Sequence, residues 1–439
     1  MKRICLALPT NRPCAATIAA VHGEAVWAAA RFAVEVHVVV LDSCSTADFS
    51  EHAAAVKLLR VSPGVVVHHI DEGRQGEFLR TVIERSAAPD PERLFDLMLP
   101  EGVSYGACTN RVFLVASALG CSSVHRRDSD SHYQSVGGET IYPIGQELAS
   151  LGLRAADAVS GVTVSTLDPV QADQPVSLVA GSFIGELSVD VSEIRRLDPE
   201  VYQDLIGLLA NSVDTGERPG WGRIVNRWLA DKCFVGGGSA PFTSDRSTLG
   251  TVDIYSAEMC NVALSRELYE RVPLPPAEET IGSDYFLIHL AHDTRLPGVV
   301  HNRHIVNYYT PERRTRKGFL AYQTRFVKLL LSTPYLSHAH ARFAQSRSTV
   351  LDERSRIRAD AVAAIVRESL RLSPRTDEKR LAQIIGSYRR LGGQYADLAG
   401  HITALAPQLI DEVRTDIVNF ALLVEAWSEL VEAATGVDP

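Results

Sequence analysis

Three apolar, β-branched runs open the chain: ICLALP from Ile4, VEVHVVVLDS from Val34 and GVVVHHID from Gly64. Runs of this kind suit strands buried on both faces, and such strands belong to parallel sheets. Helical patterns fill the intervals, over residues 15–32, 49–59 and 73–86. Residues 104–119 follow with Val112, Val115, Ala116 and Leu119 on one face, and CSSVHRRDSD then gives a short strand and an acidic turn. Strand and helix in alternation predict an α/β fold of Rossmann type, with a mixed, mostly parallel sheet.

Polar groups gather where these runs end: Thr10, Asn11 and Arg12; Asp42; Asp71; Asp128 and Asp130. Open α/β sheets bind ligands beyond the carboxyl ends of their strands, so this edge is where a site is expected. Residues 131–310 mix strands and loops. MCNVALSRELYERVPLPPAEETIGSDYFLIHLAHD reads as a short strand, a helix, a proline-rich turn and a second helix. LPGVVHNRHIVNYYT reads as a late strand with a histidine-rich exit. Beyond about residue 315, FLAYQTRFVKLLLSTPYL, IRADAVAAIVRESLRL and DEVRTDIVNFALLVEAWSELVEAA carry helical apolar periodicity. The expected division is a sheet domain over 1–312 and a helical C-terminal region over 313–439. That region could cover the site, form a homo-oligomer interface or bury part of the sheet domain.

A net charge of −9 argues against a broadly basic nucleic-acid surface. No apolar run approaches the roughly 20 residues that a spanning helix needs. The start, MKRICLALPTNRP, imitates a signal peptide. Its apolar core ends at Leu8, and Pro9, Asn11 and Arg12 follow at once, so a strand is the better reading. The seven cysteines are scattered without a CxxC pair. That points to a reducing compartment, hence a cytoplasmic protein, and away from a cysteine-built zinc site.

The chemistry concentrates in VHRRDSDSHYQ, residues 124–134. Asp-x-Asp is common in solvated turns, and its weight here comes from following a strand. In a turn Asp128 and Asp130 can converge on one ion. Oxygen ligands suit magnesium or manganese, which bind through a few carboxylates plus substrate phosphates and can neutralise a leaving diphosphate. Of the preceding Arg126 and Arg127, one could brace the carboxylates. His68 and His69 are adjacent in a strand and face opposite sides, which argues against a shared metal site. Residues 236–238, GGG, lack the Gly-Lys-Ser/Thr ending of a phosphate-binding P-loop and read as a turn or a lid. RRTRKGF, from Arg313, reads as a solvated helix start or a phosphate-contacting patch. Ser104 and Ser182 lack a nucleophile elbow, and no GxGxxG fingerprint occurs. A hydrolase and a dinucleotide-dependent oxidoreductase are both disfavoured.

Several segments, in order over residues 4–305, resemble the inverting nucleotide-sugar-dependent glycosyltransferases of GT-A fold. LALPTNRP resembles the strand and loop that open the nucleotide pocket. VVVLDSCS resembles the second strand, whose terminal acid touches the base or ribose. YGACTNRVFLVASALGCSSVHRRDSD resembles the helix with a small-residue-x-Asn stretch, followed by the strand and the Asp-x-Asp. MCNVALSRELYERVPLPPAEETIGSDYFLI resembles the segment that leads to the catalytic acid. The family often has Glu-Asp there; here Ser283 precedes Asp284, so only the second acid matches.

The resemblance implies donor binding by Pro9, Thr10, Asn11, Arg12, Asp42, Asp71, Asn110 and Asp128. Asn110 would orient the nucleotide or stabilise the loop beneath it. The resemblance also implies Mn2+ or Mg2+ held by Asp130, Asp128 and His301, although Arg303 could instead neutralise phosphate. Asp284 would be the general base, deprotonating an acceptor hydroxyl or amine on the face opposite the leaving nucleotide. The implied partners are a nucleotide-sugar donor and a small-molecule or glycan acceptor, rather than nucleic acid. Two alternatives stand. A nucleotidyltransferase would want a basic phosphate loop where TNRP offers only Arg12. A non-catalytic nucleotide-binding or scaffold protein would need no common ion.

Overall fold

A computed structural model describes residues 1–187, 191–210, 239–308 and 311–439. The glycine run at 236–238 lies outside the described residues, as does the side chain of Arg313. The expected early strands are β1 (Lys2–Thr10), β2 (Val34–Asp42), β3 (Val65–Asp71) and β4 (Ser123–Arg127). Short strands follow: β5 (Ser131–Tyr133), β6 (Ser135–Val136), β7 (Glu139–Thr140), β8 (Val164–Ser165), β9 (Leu178–Ala180) and β10 (Phe183–Gly185). The last are β11 (Ser247–Thr251), β12 (Asn261–Ser265), β13 (Pro297–His301) and β14 (Ile305–Asn307).

The main sheet runs β3-β2-β1-β4-β12-β9-β13-β11-β8. β3, β2, β1 and β4 are parallel neighbours. β12 opposes both β4 and β9, while β13 is parallel to β9. The result is a mixed, largely parallel α/β sheet of GT-A-like Rossmann type, as the alternation predicts. The register sets Thr10 beside Asp42 and Asp42 beside Asp71, so three of the polar strand ends share one edge. β12 enters from the opposite direction, and its first residue, Asn261, lies beside Arg127 at the end of β4. One edge therefore collects the ends of β1 to β4 and the beginning of β12.

The sheet is packed on both faces. Cys5, Ala7 and Val124 face a core with Phe78 and Val112; Ile4, Leu6 and Leu8 face another with Ile18, Val21 and Ala25. The same alternation sends Arg126 and Arg127 to opposite faces. The helix Thr46–Lys57 starts earlier than its apolar pattern, because Ser45 caps it by accepting from the Asp48 backbone N–H. Pro91–Met98 is a helix not expected from periodicity. Proline in its first turn and Asp90 as its cap account for it.

Four long helices make up most of the C-terminal region: Arg316–Gln345, Ala359–Ser369, Pro374–Leu391 and Gly393–Ala434. Their apolar residues share one core with the strands of the sheet. Trp427 is fully enclosed and donates its indole N–H to the Tyr269 carbonyl at 3.0 Å. Phe286 packs on Phe343 and Phe420. RRTRKGF opens the first of these helices, with Thr315 capping it and Arg316 paired to Asp397 at 3.0 Å. Among the described residues no helix is long and apolar enough to cross a membrane.

Candidate active site

Arg126 lies on the face of the helix Tyr105–Ala118 and is almost fully buried. A guanidinium placed there must be paired, because an isolated buried charge is costly. Its Nη2 lies 3.1 Å from Asp128 Oδ1, and its Nη1 donates to Asp284 Oδ2 at 2.7 Å. One guanidinium thus joins the acid just after β4 to the acid of the late SDYF segment. Alongside, Arg12 Nη1 donates to Asp130 Oδ2 at 2.9 Å. Arg126 is the arginine that braces the carboxylates.

A fourth acid stands in this cleft. Glu258, three residues before β12, accepts a hydrogen bond from the hydroxyl of Tyr285. Its pKa is raised to about 7. Burial is the main cause, with the charges of Asp284 and Asp128 adding to it, and the Tyr285 hydrogen bond acts in the opposite direction.

The approach to Asp284 is fixed from below. Asn110 donates to the Leu274 carbonyl at 2.9 Å and accepts from the Leu274 N–H at 2.7 Å. Of its two implied roles, this geometry matches the bracing of a loop. Ser104 Oγ donates to the Pro276 carbonyl at 3.1 Å. A Cβ at Gly106 would stand 1.9 Å from the Pro275 oxygen, so the proline-rich run passes directly over the start of this helix.

The other expected donor residues are spread along the same edge. Pro9 pairs with Leu41 in the sheet and Asn11 is exposed. Thr10 Oγ1 accepts from the Arg12 N–H at 3.3 Å and donates to the Arg12 carbonyl at 2.9 Å, which braces that turn. Asp71 caps the helix Glu72–Ser86 by accepting from the Arg74 N–H.

Asp42 is fully enclosed. Its Oδ2 accepts from His52 Nδ1 at 2.7 Å and His69 Nε2 at 2.8 Å, and its Oδ1 accepts from the Cys44 N–H at 3.0 Å. Burial would raise its pKa; the hydrogen bonds from His69, Cys44 and His52 outweigh that and hold it well below the usual carboxylate range. The ligand atoms of Asp42, His52 and His69 lie within 4.8 Å of one another, so the trio could hold a divalent cation. In the arrangement seen it is a closed hydrogen-bond network. The Cys14 N–H points at His52 Nε2 at 2.8 Å, which leaves the ring proton on Nδ1, facing Asp42. A cation on Nδ1 of the neutral ring would move that proton to Nε2, against the Cys14 N–H. Two imidazoles also suit softer ions better than magnesium or manganese.

Asp128, Asp130 and His301 do not form such a group among the described residues. His301 ends β13 at the right edge but belongs to the opposite face, where Glu147 and Arg127 influence it. Burial lowers its pKa to about 3. Its Nδ1 accepts the Arg303 N–H at 3.2 Å, so the neutral ring carries its proton on the buried Nε2 and presents no lone pair there. The expected three-ligand set is therefore not assembled. Arg303 is also committed elsewhere, forked onto Asp245 at 2.7 and 2.9 Å and bonded to the Tyr142 carbonyl. Arg127, on that same opposite face, is enclosed with Glu24, Glu147 and His125 in a buried ionic network.

Sequence reasoning missed Glu258 and the partners of Asp42. The signal for Glu258 was an acid just outside a strand that begins at the ligand edge. His52 carried none, since its burial depends on a helix that is otherwise largely exposed.

The fold is a mixed, largely parallel α/β sheet of GT-A-like Rossmann type, and one edge of it carries an arginine-bridged acidic cleft. The chain belongs to the family described as Family of unknown function (DUF6271), matched over residues 2–439. No curated protein matches it. Among solved structures it is distantly similar to TarS 1–349 from S. aureus in complex with UDP: 12% identity, 97% of this chain, 90% of that one, TM-score 0.35. A mannosyltransferase from Pyrobaculum calidifontis in complex with GDP-Man and Mn2+ matches at 11% identity over 96% and 86%, TM-score 0.32. A mycobacterial protein matches at 16% identity over 77% and 75%, TM-score 0.32. Scores this low carry no argument about reaction or ligand.

Proposed function

We propose that this protein transfers a sugar, with inversion, from a nucleoside-diphosphate donor to an acceptor hydroxyl or amine. The observation that supports this most is the Arg126 bridge. It joins Asp128, on the expected donor side, to Asp284, on the expected acceptor side. The two halves of such a reaction must meet within a few ångströms, and proximity of this kind is worth a large part of the barrier.

In this reading the diphosphate lies over the turn after β1, where Arg12 is the nearby cation. The acceptor sits at Asp284, which accepts a hydrogen bond from its hydroxyl or amine and aligns it with the anomeric carbon. A single displacement follows: the acceptor atom bonds to that carbon as the bond to the diphosphate oxygen breaks. Arg126 holds Asp284 in place. The expected cation ligands are not assembled, so no step is routed through a metal.

The test compares two substitutions. Arg12→Ala should weaken nucleotide-sugar binding measured by calorimetry. Asp284→Asn should leave that binding intact and slow transfer by about 10²-fold or more, because the acceptor loses the carboxylate that aligns it. Wild-type turnover in Asp284→Asn would remove Asp284 from this role.

A further inference from the structure

We propose that Glu258 is a second catalytic carboxylate of this cleft, the group that holds the acceptor's proton when transfer is complete. The inference rests on the transferase reading above. Its basis is geometric. Tyr285 directly follows Asp284, and its hydroxyl is bonded to Glu258, so one acid lies within the turn Ser283–Tyr285 and the other is tied to it. Asp284 and Asp128 are both committed to Arg126. Glu258 has no cationic partner among the described residues. Among the described residues, the charged and titratable groups that face it are Tyr285 and Asp284 from that turn, Asp128 from the end of β4, and Cys260 beside the start of β12.

The chemistry follows from this difference. Asp284 Oδ2 already accepts a hydrogen bond from the Arg126 guanidinium, and Asp128 Oδ1 lies against the same group. Glu258, half-buried beside other acids, keeps its affinity for a proton. Burial, with the neighbouring acids, brings Glu258 to about 7. A base matched to the working pH is the most effective kind. In the proposed step Asp284 orients the acceptor through a hydrogen bond. The acceptor oxygen or nitrogen bonds to the anomeric carbon, and its proton passes to Glu258. The bond from carbon to the diphosphate oxygen breaks, and its electron pair leaves with the nucleoside diphosphate.

The test is kcat/KM against pH for the full chain, with a nucleotide sugar that the wild type turns over, in wild type, Glu258→Gln and Tyr285→Phe. Calorimetric donor binding and thermal unfolding are recorded alongside. Wild-type activity should fall on acidification through about pH 7. Glu258→Gln should bind donor normally, lose that limb and slow transfer by about 10²-fold or more. Tyr285→Phe removes a hydrogen bond that lowers the pKa of Glu258, so its limb should move to higher pH. A Glu258→Gln variant with wild-type rate and limb would overturn the proposal. If that variant does not fold, Tyr285→Phe decides, and an unmoved limb overturns it. Failure of the transferase reading itself would be distinct: the wild type would transfer no sugar from any donor, before any variant is made.

Discussion

At the scale of residues, the cleft is governed by which acid has a cation. Arg126 serves Asp128 and Asp284, Arg12 serves Asp130, and among the described residues the Glu258 carboxylate is held by a tyrosine hydroxyl and no cation. Replacing Arg126 by methionine would leave two acids facing each other without a counter-charge. Breaking a buried pair in this way costs about 3–5 kcal/mol, which urea unfolding should register. Asp42 makes a separate prediction. Its folded pKa lies below the unfolded value of about 3.9, so its contribution to stability is complete above that pH and is lost as pH falls further. Asp42→Asn should therefore unfold with a shallower dependence on pH below about 4. Asp128, Asp130 and Asp284 were legible in the sequence as candidates because each lies in a recognisable pattern. Their arginine partners were not, since pairing depends on which strand face each side chain takes. His301 illustrates the same limit: the correct edge could be read, the face could not.

At the scale of elements, the helix Tyr105–Ala118 supports the segment that leads to Asp284. Asn110 ties the Leu274 backbone, and Gly106 lets Pro275 pass overhead. Asn110→Ala would strand a buried N–H and carbonyl at Leu274, a loss of about 1–3 kcal/mol by denaturant titration. Transfer should fall as well, because the run that it holds leads to Asp284. The early strands and helices could be read directly from apolar runs and helical periodicity. The helix Pro91–Met98 could not, being too short for a period to emerge, although its proline and aspartate are ordinary start signals. The reversed direction of β12 was also hidden, because a five-residue strand carries no mark of its polarity.

At the scale of the whole molecule, the reversed β12 is what makes one site from distant segments. It brings Glu258 and the segment that follows it to the edge where β1 to β4 end. The C-terminal helices close the core beneath, and Trp427 ties the last of them to Tyr269. Trp427→Ala should cost about 3–5 kcal/mol and loosen both regions together in a single unfolding transition. The helical character of this region was legible from its periodicity; the surface it buries was not, because periodicity gives a face and not its partner. In the proposed reaction the arginine-bridged edge binds a nucleotide-sugar. The most direct test is thermal shift of the full chain against a panel of nucleotide sugars, with and without manganese. At least one nucleoside-diphosphate sugar should raise the unfolding midpoint, Arg12→Ala should abolish the rise, and Asp284→Asn should keep it. No shift with any nucleoside-diphosphate sugar, or a shift with nucleoside triphosphates alone, would mean that this edge is not a nucleotide-sugar site.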